Sequence, residues 1–437
     1  MKLNLFYFVA TATMMFGLCA CGNDSPDINP NDNKGGETVI PNGNANDIPE
    51  PKAYTTLNLT SSQEAAKQAN NDFAVSLMKD VMEMQNGEST VISPFSLYST
   101  LSMSANGDTG KTRDQILRVL GFDTGIAGLE GLNDFNSLLM SQLPHLDSRA
   151  YALVSNSMWF GNNTQLLPDF ISAVTRWYGA DVKSLLTLND DNARQLINQW
   201  CSEKTKGLIP EFLKNNLDCQ LALLNATYFR GMWTNGFNKD NTSKAPFTNI
   251  DGTTAQVDLM SGDASEYLYA KNDVAEIVGL PYGNGNFRMM CILPNRGYDI
   301  TAYTERMTAA SLSQDFANTK ETKCIVRMPK FDIGSNQDIT RLLKSKGLDY
   351  MFDYGFNAIA SDGSLLKVTQ VLQETRVSTD EGGTLGAAVT MMGIDAALNP
   401  DAPEFKPVEI TLDRPFLFVI EETSTGTILF IGAVTKL

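Results

Sequence analysis

Between Glu381 and Asp395 the chain runs through thirteen residues, Gly-Gly-Thr-Leu-Gly-Ala-Ala-Val-Thr-Met-Met-Gly-Ile, with no charge, no proline and no aromatic ring. A surface loop ordinarily carries Pro, Asn and charge. This one follows a Val- and Thr-rich run, Val368 to Thr379. Its side chains are small enough to pass between two existing strands, and nothing in it blocks a hydrogen-bond ladder. It reads as a loop that can become a strand. A merely apolar, flexible loop is the competing reading, and the segment alone gives the two equal weight.

The rest of the chain reads as mixed α+β. Ser61-Ser62-Gln63-Glu64 has the form of a capping box, opening a helix with Phe73, Leu77, Met78 and Val81 on one face. Ser96 to Met103 and Thr112 to Leu120 have helical patterns, while Leu221 to Arg230 and Cys324 to Phe331 are strand-like. Phe416 to Ile420 and Ile428 to Val434 are strands joined by the turn-rich Thr423-Ser424-Thr425-Gly426. With 437 residues, 43% of them hydrophobic, the chain can bury a large core. No composition break follows Thr55, so one large domain is expected.

Five segments carry a resemblance to the serpin family, the serine protease inhibitors that insert their reactive loop into a central sheet. Thr379-Asp380-Glu381-Gly382-Gly383-Thr384 and the Ala-rich run after it look like the family's hinge. Val91-Ile92-Ser93-Pro94-Phe95-Ser96 resembles the start of its shutter helix, and Leu223 to Trp233 its central-sheet strand. Met328-Pro329-Lys330-Phe331 and Asp413-Arg414-Pro415-Phe416-Leu417-Phe418-Val419-Ile420 complete the set, in family order, over roughly residues 57–437.

The resemblance implies the serpin fold: about three β-sheets, one of them large and central, about nine helices, and an exposed reactive-centre loop at about 381–405. It implies a monomeric suicide-substrate inhibitor, not an enzyme. A target serine protease forms a covalent acyl-enzyme, and the cut loop then inserts. The hinge residues would be Glu381, Gly383, Thr384, Gly386, Ala387 and Ala388. Counting the family's seventeen-residue span from Glu381 places the reactive bond at Ala397-Leu398, which suits the shallow pockets of elastase- or subtilisin-like enzymes. Whether cysteine proteases are also trapped stays open. Ser93, Ser96, Asn225 and Gln373 match the shutter; Gln373 stands where relatives often carry histidine, so it can donate and accept but not titrate. Trp233, Lys330 and Glu381 match the breach at the top of the sheet. The alternative is a non-inhibitory serpin serving as a binding or structural module of the cell envelope. Such members usually show Pro or bulky charge in the hinge, and this hinge has neither.

The N-terminus reads separately. Lys2 precedes the apolar run Leu5 to Leu18, which at fourteen residues is too short for a membrane span and has the pattern of a signal peptide. Leu18-Cys19-Ala20-Cys21-Gly22 resembles a bacterial lipobox, which would make residues 1–20 the leader and Cys21 the lipidated residue, with an ordinary cleaved signal as the other reading. Residues 21–56 would be a disordered tether: 22–55 hold five Pro, seven Asn and four Gly. The serpin domain would then span 57–437, lipid-anchored in the bacterial cell envelope or secreted.

Several functions are disfavoured by composition. A net charge of −16 argues against nucleic-acid binding. His145, in a Leu-Pro-His-Leu setting, is the one histidine, so a Ser-His-Asp or Cys-His mechanism would have to use it, and a turn position is expected instead. Gly283-Asn284-Gly285 has turn chemistry without a following helix, which is no phosphate cradle. The cysteine spacing does not suggest zinc, and no metal or cofactor is expected. Cys291 and Cys324 lie in strand-like runs and read as buried thiols, though Cys201, Cys219, Cys291 and Cys324 could form two disulfides in an oxidising compartment.

Overall fold

Ten α-helices and sixteen strands lie among residues 50, 52–122, 126–161, 163–219, 221–369, 371–384 and 406–437, which the computed structural model describes. In chain order, α1 (Ser61–Gln85), β1 (Thr90–Ile92), α2 (Pro94–Ala105), α3 (Lys111–Val119) and α4 (Ile126–Gln142) come first. Then come β2 (Ala150–Gly161), α5 (Pro168–Tyr178), β3 (Asp181–Leu185), α6 (Asp191–Lys204) and β4 (Leu221–Met232). They are followed by β5 (Ser243–Thr248), β6 (Thr254–Ser261), β7 (Ser265–Lys271), β8 (Ala275–Tyr282) and β9 (Phe287–Pro294). Helices α7 (Ile300–Arg306) and α8 (Ala309–Ala317) lead to β10 (Lys320–Pro329), β11 (Phe331–Asp338), α9 (Thr340–Ser345) and α10 (Asp349–Asp353). Strands β12 (Leu372–Asp380), β13 (Gly383–Thr384), β14 (Val408–Thr411), β15 (Phe416–Glu422) and β16 (Thr427–Val434) complete the order.

The capping box of α1 sits one residue earlier than its sequence suggests. Thr60 is the N-cap, and its hydroxyl and the Gln63 amide satisfy each other's backbone N–H groups. Phe73, Leu77, Met78 and Val81 are all buried. The run from Cys324 to Phe331 is not one strand. It breaks at Lys330, whose N–H donates to the Asp258 carbonyl, and the chain changes sheets there. His145 ends a short 3-10 turn and is exposed. Gly283 and Gly285 turn the chain between β8 and β9 with positive φ.

The strands form two hydrogen-bonded sheets rather than three. A six-stranded sheet has the order β11-β12-β13-β4-β2-β3. A ten-stranded sheet runs β1-β16-β15-β9-β8-β7-β10-β6-β5, with β14 beside β10. Two sheets of the expectation merge because β10 is long: Lys320–Cys324 pairs with β7, and Arg327–Pro329 pairs with β6. The core lies between the sheets. From β4, Phe229 meets Tyr282, Phe287 and Phe430, and from β11, Phe331 meets Phe416 and Phe418.

On its other face β4 is covered. Ala222 and Ala226 join a buried cluster with Ile197 and Trp200 of α6 and with Phe212 and Leu213. Asn198 ties this cover down by exchanging two hydrogen bonds with the Leu213 backbone, at 2.9 and 2.7 Å. Among the described cysteines, Cys201, Cys219, Cys291 and Cys324 are all free, and burial pushes the Cys201 thiol up to about 12 and that of Cys324 to about 11. Such thiols are inert at neutral pH.

Candidate functional site

After Asp380 the chain reverses over Glu381 and Gly382 and returns as β13. One carboxylate oxygen of Asp380 accepts the N–H groups of Gly382, at 2.8 Å, and of Gly383, at 3.2 Å. Strand β13 then pairs on both sides: Thr379 faces Thr384 and Asp380 faces Gly383 in β12, while Met232 and Gly231 of β4 face the same two residues. The fit is close. Gly383 has φ +154°, and a Cβ there would lie 1.9 Å from the Gly231 carbonyl oxygen. A Cβ on Gly231 would lie 2.6 Å from the Tyr282 ring.

Polar contacts pin the reversal. The Trp233 indole N–H donates to the Asp380 carbonyl and the Trp233 backbone N–H to that of Gly382, both at 3.0 Å. Phe237 N–H donates to the Glu381 carbonyl at 3.0 Å. The Glu381 carboxylate, only 3% exposed, takes Lys330 Nζ and the Thr242 hydroxyl, each at 2.7 Å. Burial works to raise this carboxyl, yet the Lys330 and Thr242 hydrogen bonds hold it below its ordinary value. Thr384 is 1% exposed and shares a 2.6 Å hydrogen bond with Tyr282, whose ring stacks on Trp233 with centroids 4.4 Å apart.

Below β13 the sheet is parted. Among the described residues β4 and β12 form no ladder with each other; each pairs with β13, which is two residues long. Near the far end of this slot lies a cavity of about 90 Å³, with Leu223 and Asn225 on one side, Gln373 on the other and Ser96 and Thr100 beneath.

A second polar cluster crosses the slot at the N-terminus of α2. Pro94 takes the first helical position, where its missing N–H is harmless, which fixes Ser93 as the N-cap. The Ser93 hydroxyl donates to the Leu429 carbonyl at 3.0 Å, and the Ser93 carbonyl accepts the Gln373 amide at 2.9 Å. Ser96 donates to the Asn225 side-chain oxygen. Asn225 donates in turn to Asn156 of β2 at 2.8 Å, and Asn156 to the Tyr178 carbonyl at 3.3 Å. So β12 and β4 are both moored to α2, from opposite sides of the gap.

The structure therefore gathers Glu381, Gly383, Thr384, Trp233 and Lys330 at one end of the slot. It gathers Ser93, Ser96, Asn225 and Gln373 about six residues further along β4, roughly 20 Å away at 3.3 Å per residue. Gly386, Ala387, Ala388, Ala397, Leu398 and Cys21 lie outside the described residues. Sequence reading passed over Gly231, Tyr282, Phe237, Thr242 and Asn156. Only Gly231 left a trace, as a glycine inside a strand, which marks a close backbone approach.

A family model described as Serpin (serine protease inhibitor) matches residues 68–437. Iripin-2 of Ixodes ricinus is 28% identical over 382 residues, covering 86% of this chain and 95% of its own. Plasminogen activator inhibitor 1 of Bos taurus is 28% identical over 385 residues, covering 86% of this chain and 93% of its own. The crystal structure of tengpin, a thermophilic serpin in the native state, superposes with a TM-score of 0.77 at 28% identity, over 89% of this chain and 97% of that one. The chain belongs to the serpin family, the serine protease inhibitors.

Proposed function

We propose that this chain inhibits serine endopeptidases as a suicide substrate, by inserting its cut loop between β4 and β12. The observation that carries this reading is the seating of β13. Two residues of the hinge already occupy the gap, and the strands on either side of it share no ladder among the described residues.

On this reading later residues would continue the register that β13 begins. Carried onward, Gly386 comes level with Phe229 and Val377, Ala388 with Thr227 and Thr375, and Thr390 with Asn225 and Gln373. Small residues would thus follow β13 into the slot, and a hydroxyl would reach the polar cluster on α2. New ladder bonds and the burial of the inserted side chains favour insertion, against the conformational entropy lost in ordering the loop. Insertion would extend along the facing edges of β4 and β12 the ladder that, among the described residues, β13 makes over two residues.

On this reading the protease attacks Ala397-Leu398 and is carried off as the loop inserts. Its active site is distorted before water completes the second step, and even about 1 Å of misplacement costs roughly a hundredfold in rate. The Asn225–Ser96 and Gln373–Ser93 hydrogen bonds act as the shutter, and Glu381, Lys330 and Trp233 as the latch at the top. A lipid on Cys21, with residues 21–56 as a tether, would hold the inhibitor at the cell envelope. Incubation with pancreatic elastase or subtilisin tests the proposal. An SDS-resistant complex, with a released peptide beginning at Leu398, is expected, and trypsin should give neither. Cleavage without complex would mean a substrate, and no cleavage would favour the binding module.

A further inference from the structure

Asp380 lies just before the hinge, and its side chain does something its neighbours cannot. The reversal from β12 to β13 is only two residues long, Glu381 and Gly382, and the pair Asp380–Gly383 closes it. Such a turn leaves the N–H groups of Gly382 and Gly383 pointing inward, and one Asp380 oxygen takes both. Glu381 cannot substitute, because its carboxylate is engaged by Lys330 and Thr242. Trp233 and Phe237 hold carbonyls of the same reversal, so they contribute no acceptor to those two N–H groups.

We infer that Asp380 is a positioning residue for loop insertion: by folding the hinge back on β12 it fixes the register in which the strand grows. This rests on the inhibitory reading above. The side chain acts through the backbone of Gly382 and Gly383 and touches no protease. Register matters because strand side chains alternate, so a slip of one residue exchanges the two faces. In the register of β13, Thr384 enters the pocket at Tyr282, and the residues that would follow it inward on insertion, Gly386 and Ala388, are small. One step out, Leu385 would take that place against Tyr282. Burial pushes the Asp380 carboxyl up, its two N–H donors offset part of this, and Glu381 adds to it. An acidic side chain at this spot is thus electrostatically unfavourable, which fits a residue kept for its geometry.

The consequence is kinetic. Once the acyl-enzyme has formed, insertion competes with hydrolysis. A hinge that must first find its register inserts late, so more protease escapes while the loop is cut as fast as before. Three variants separate this from a loss of fold. Asp380→Asn keeps the accepting oxygen without the charge, whereas Asp380→Glu keeps the charge but carries the oxygen one methylene too far. With subtilisin, loop cleavage should stay within about twofold of wild type in all variants. Losing an acceptor shared by two buried N–H groups should lower the ratio of trapped to released protease roughly five- to fiftyfold in Asp380→Ala and Asp380→Glu. Asp380→Asn should stay near wild type. Normal trapping by Asp380→Ala overturns the inference, or by Asp380→Glu where the alanine variant does not fold. So does failure of Asp380→Asn alongside the others, or a parallel fall in cleavage and trapping, which would mark a purely structural role. If wild-type protein forms no SDS-resistant complex with subtilisin or elastase, the inhibitory reading itself fails, a result distinct from all of these.

Discussion

Gly383 packs against the Gly231 backbone where β13 enters the sheet, and neither glycine has room for a methyl group. At Gly383 an added Cβ would meet backbone, which cannot swing aside as a side chain can. Gly383→Ala should therefore destabilise the uncleaved protein by about 2–4 kcal/mol, from overpacking and a positive φ together, read as a lower melting temperature. The ion pair above it gives a pH prediction. A carboxyl held below its ordinary value of 4.5 stabilises the fold fully above that value and loses the contribution as pH falls through the folded-state value. Removing the partner with Lys330→Met should cost about 1–3 kcal/mol at pH 7, less than for a fully buried pair because Lys330 reaches solvent. In thermal melts, the gap between wild type and variant should narrow on acidification to pH 4 and below. A constant gap would mean that the lysine acts by packing alone.

The elements around the slot were legible to different degrees. Helix α1 has its apolar face, and β4, β15 and β16 their strand-like apolar runs, and they fold where the sequence places them. The break at Lys330 was passed over although it leaves a trace: Pro329 interrupts the run, and the buried set steps from Met328 to Phe331, slipping the alternation by one residue as the chain passes from one sheet to another. That same corner aims Lys330 at Glu381. Asn156, Thr242 and Tyr282 were invisible for another reason: their partners lie 69, 139 and 102 residues away, and a lone polar residue carries no local sign of what it will meet across such a distance. Two substitutions probe the slot. Thr384→Arg would force a charge against Tyr282 in a pocket with no carboxylate among the contacts described, and should turn an inhibitor into a substrate, with the loop cut and no complex formed. Thr390→Val should leave cleavage unchanged and lower the stability of the cleaved protein by about 1 kcal/mol, since the lost hydroxyl would meet Asn225 and Gln373 only after insertion. Denaturant unfolding of cleaved and uncleaved forms distinguishes the two states.

At the scale of the molecule, the parted sheet stands against a ten-stranded sheet that has no need to move. The residue adjoining the hinge from that side is Tyr282, whose hydroxyl, ring face and ring edge meet Thr384, Trp233 and Phe229 in turn. Completing the six-stranded sheet should therefore add stability without dismantling the core. Cleaved protein is expected to melt at least about 10 °C above the uncleaved form, at about 2 °C per kcal/mol for a large domain. Equal melting temperatures would mean that no strand was gained. The stacked ring of Trp233 has a practical consequence. Its indole is hydrogen-bonded to the hinge backbone, while Trp159 of β2 and Trp200 of α6 share the buried cluster that covers β4, so three of the four tryptophans sit at the hinge or against the strand that borders the slot. Their intrinsic fluorescence is a built-in optical gauge, by which the passage of the loop can be timed in a stopped-flow cell without any attached dye.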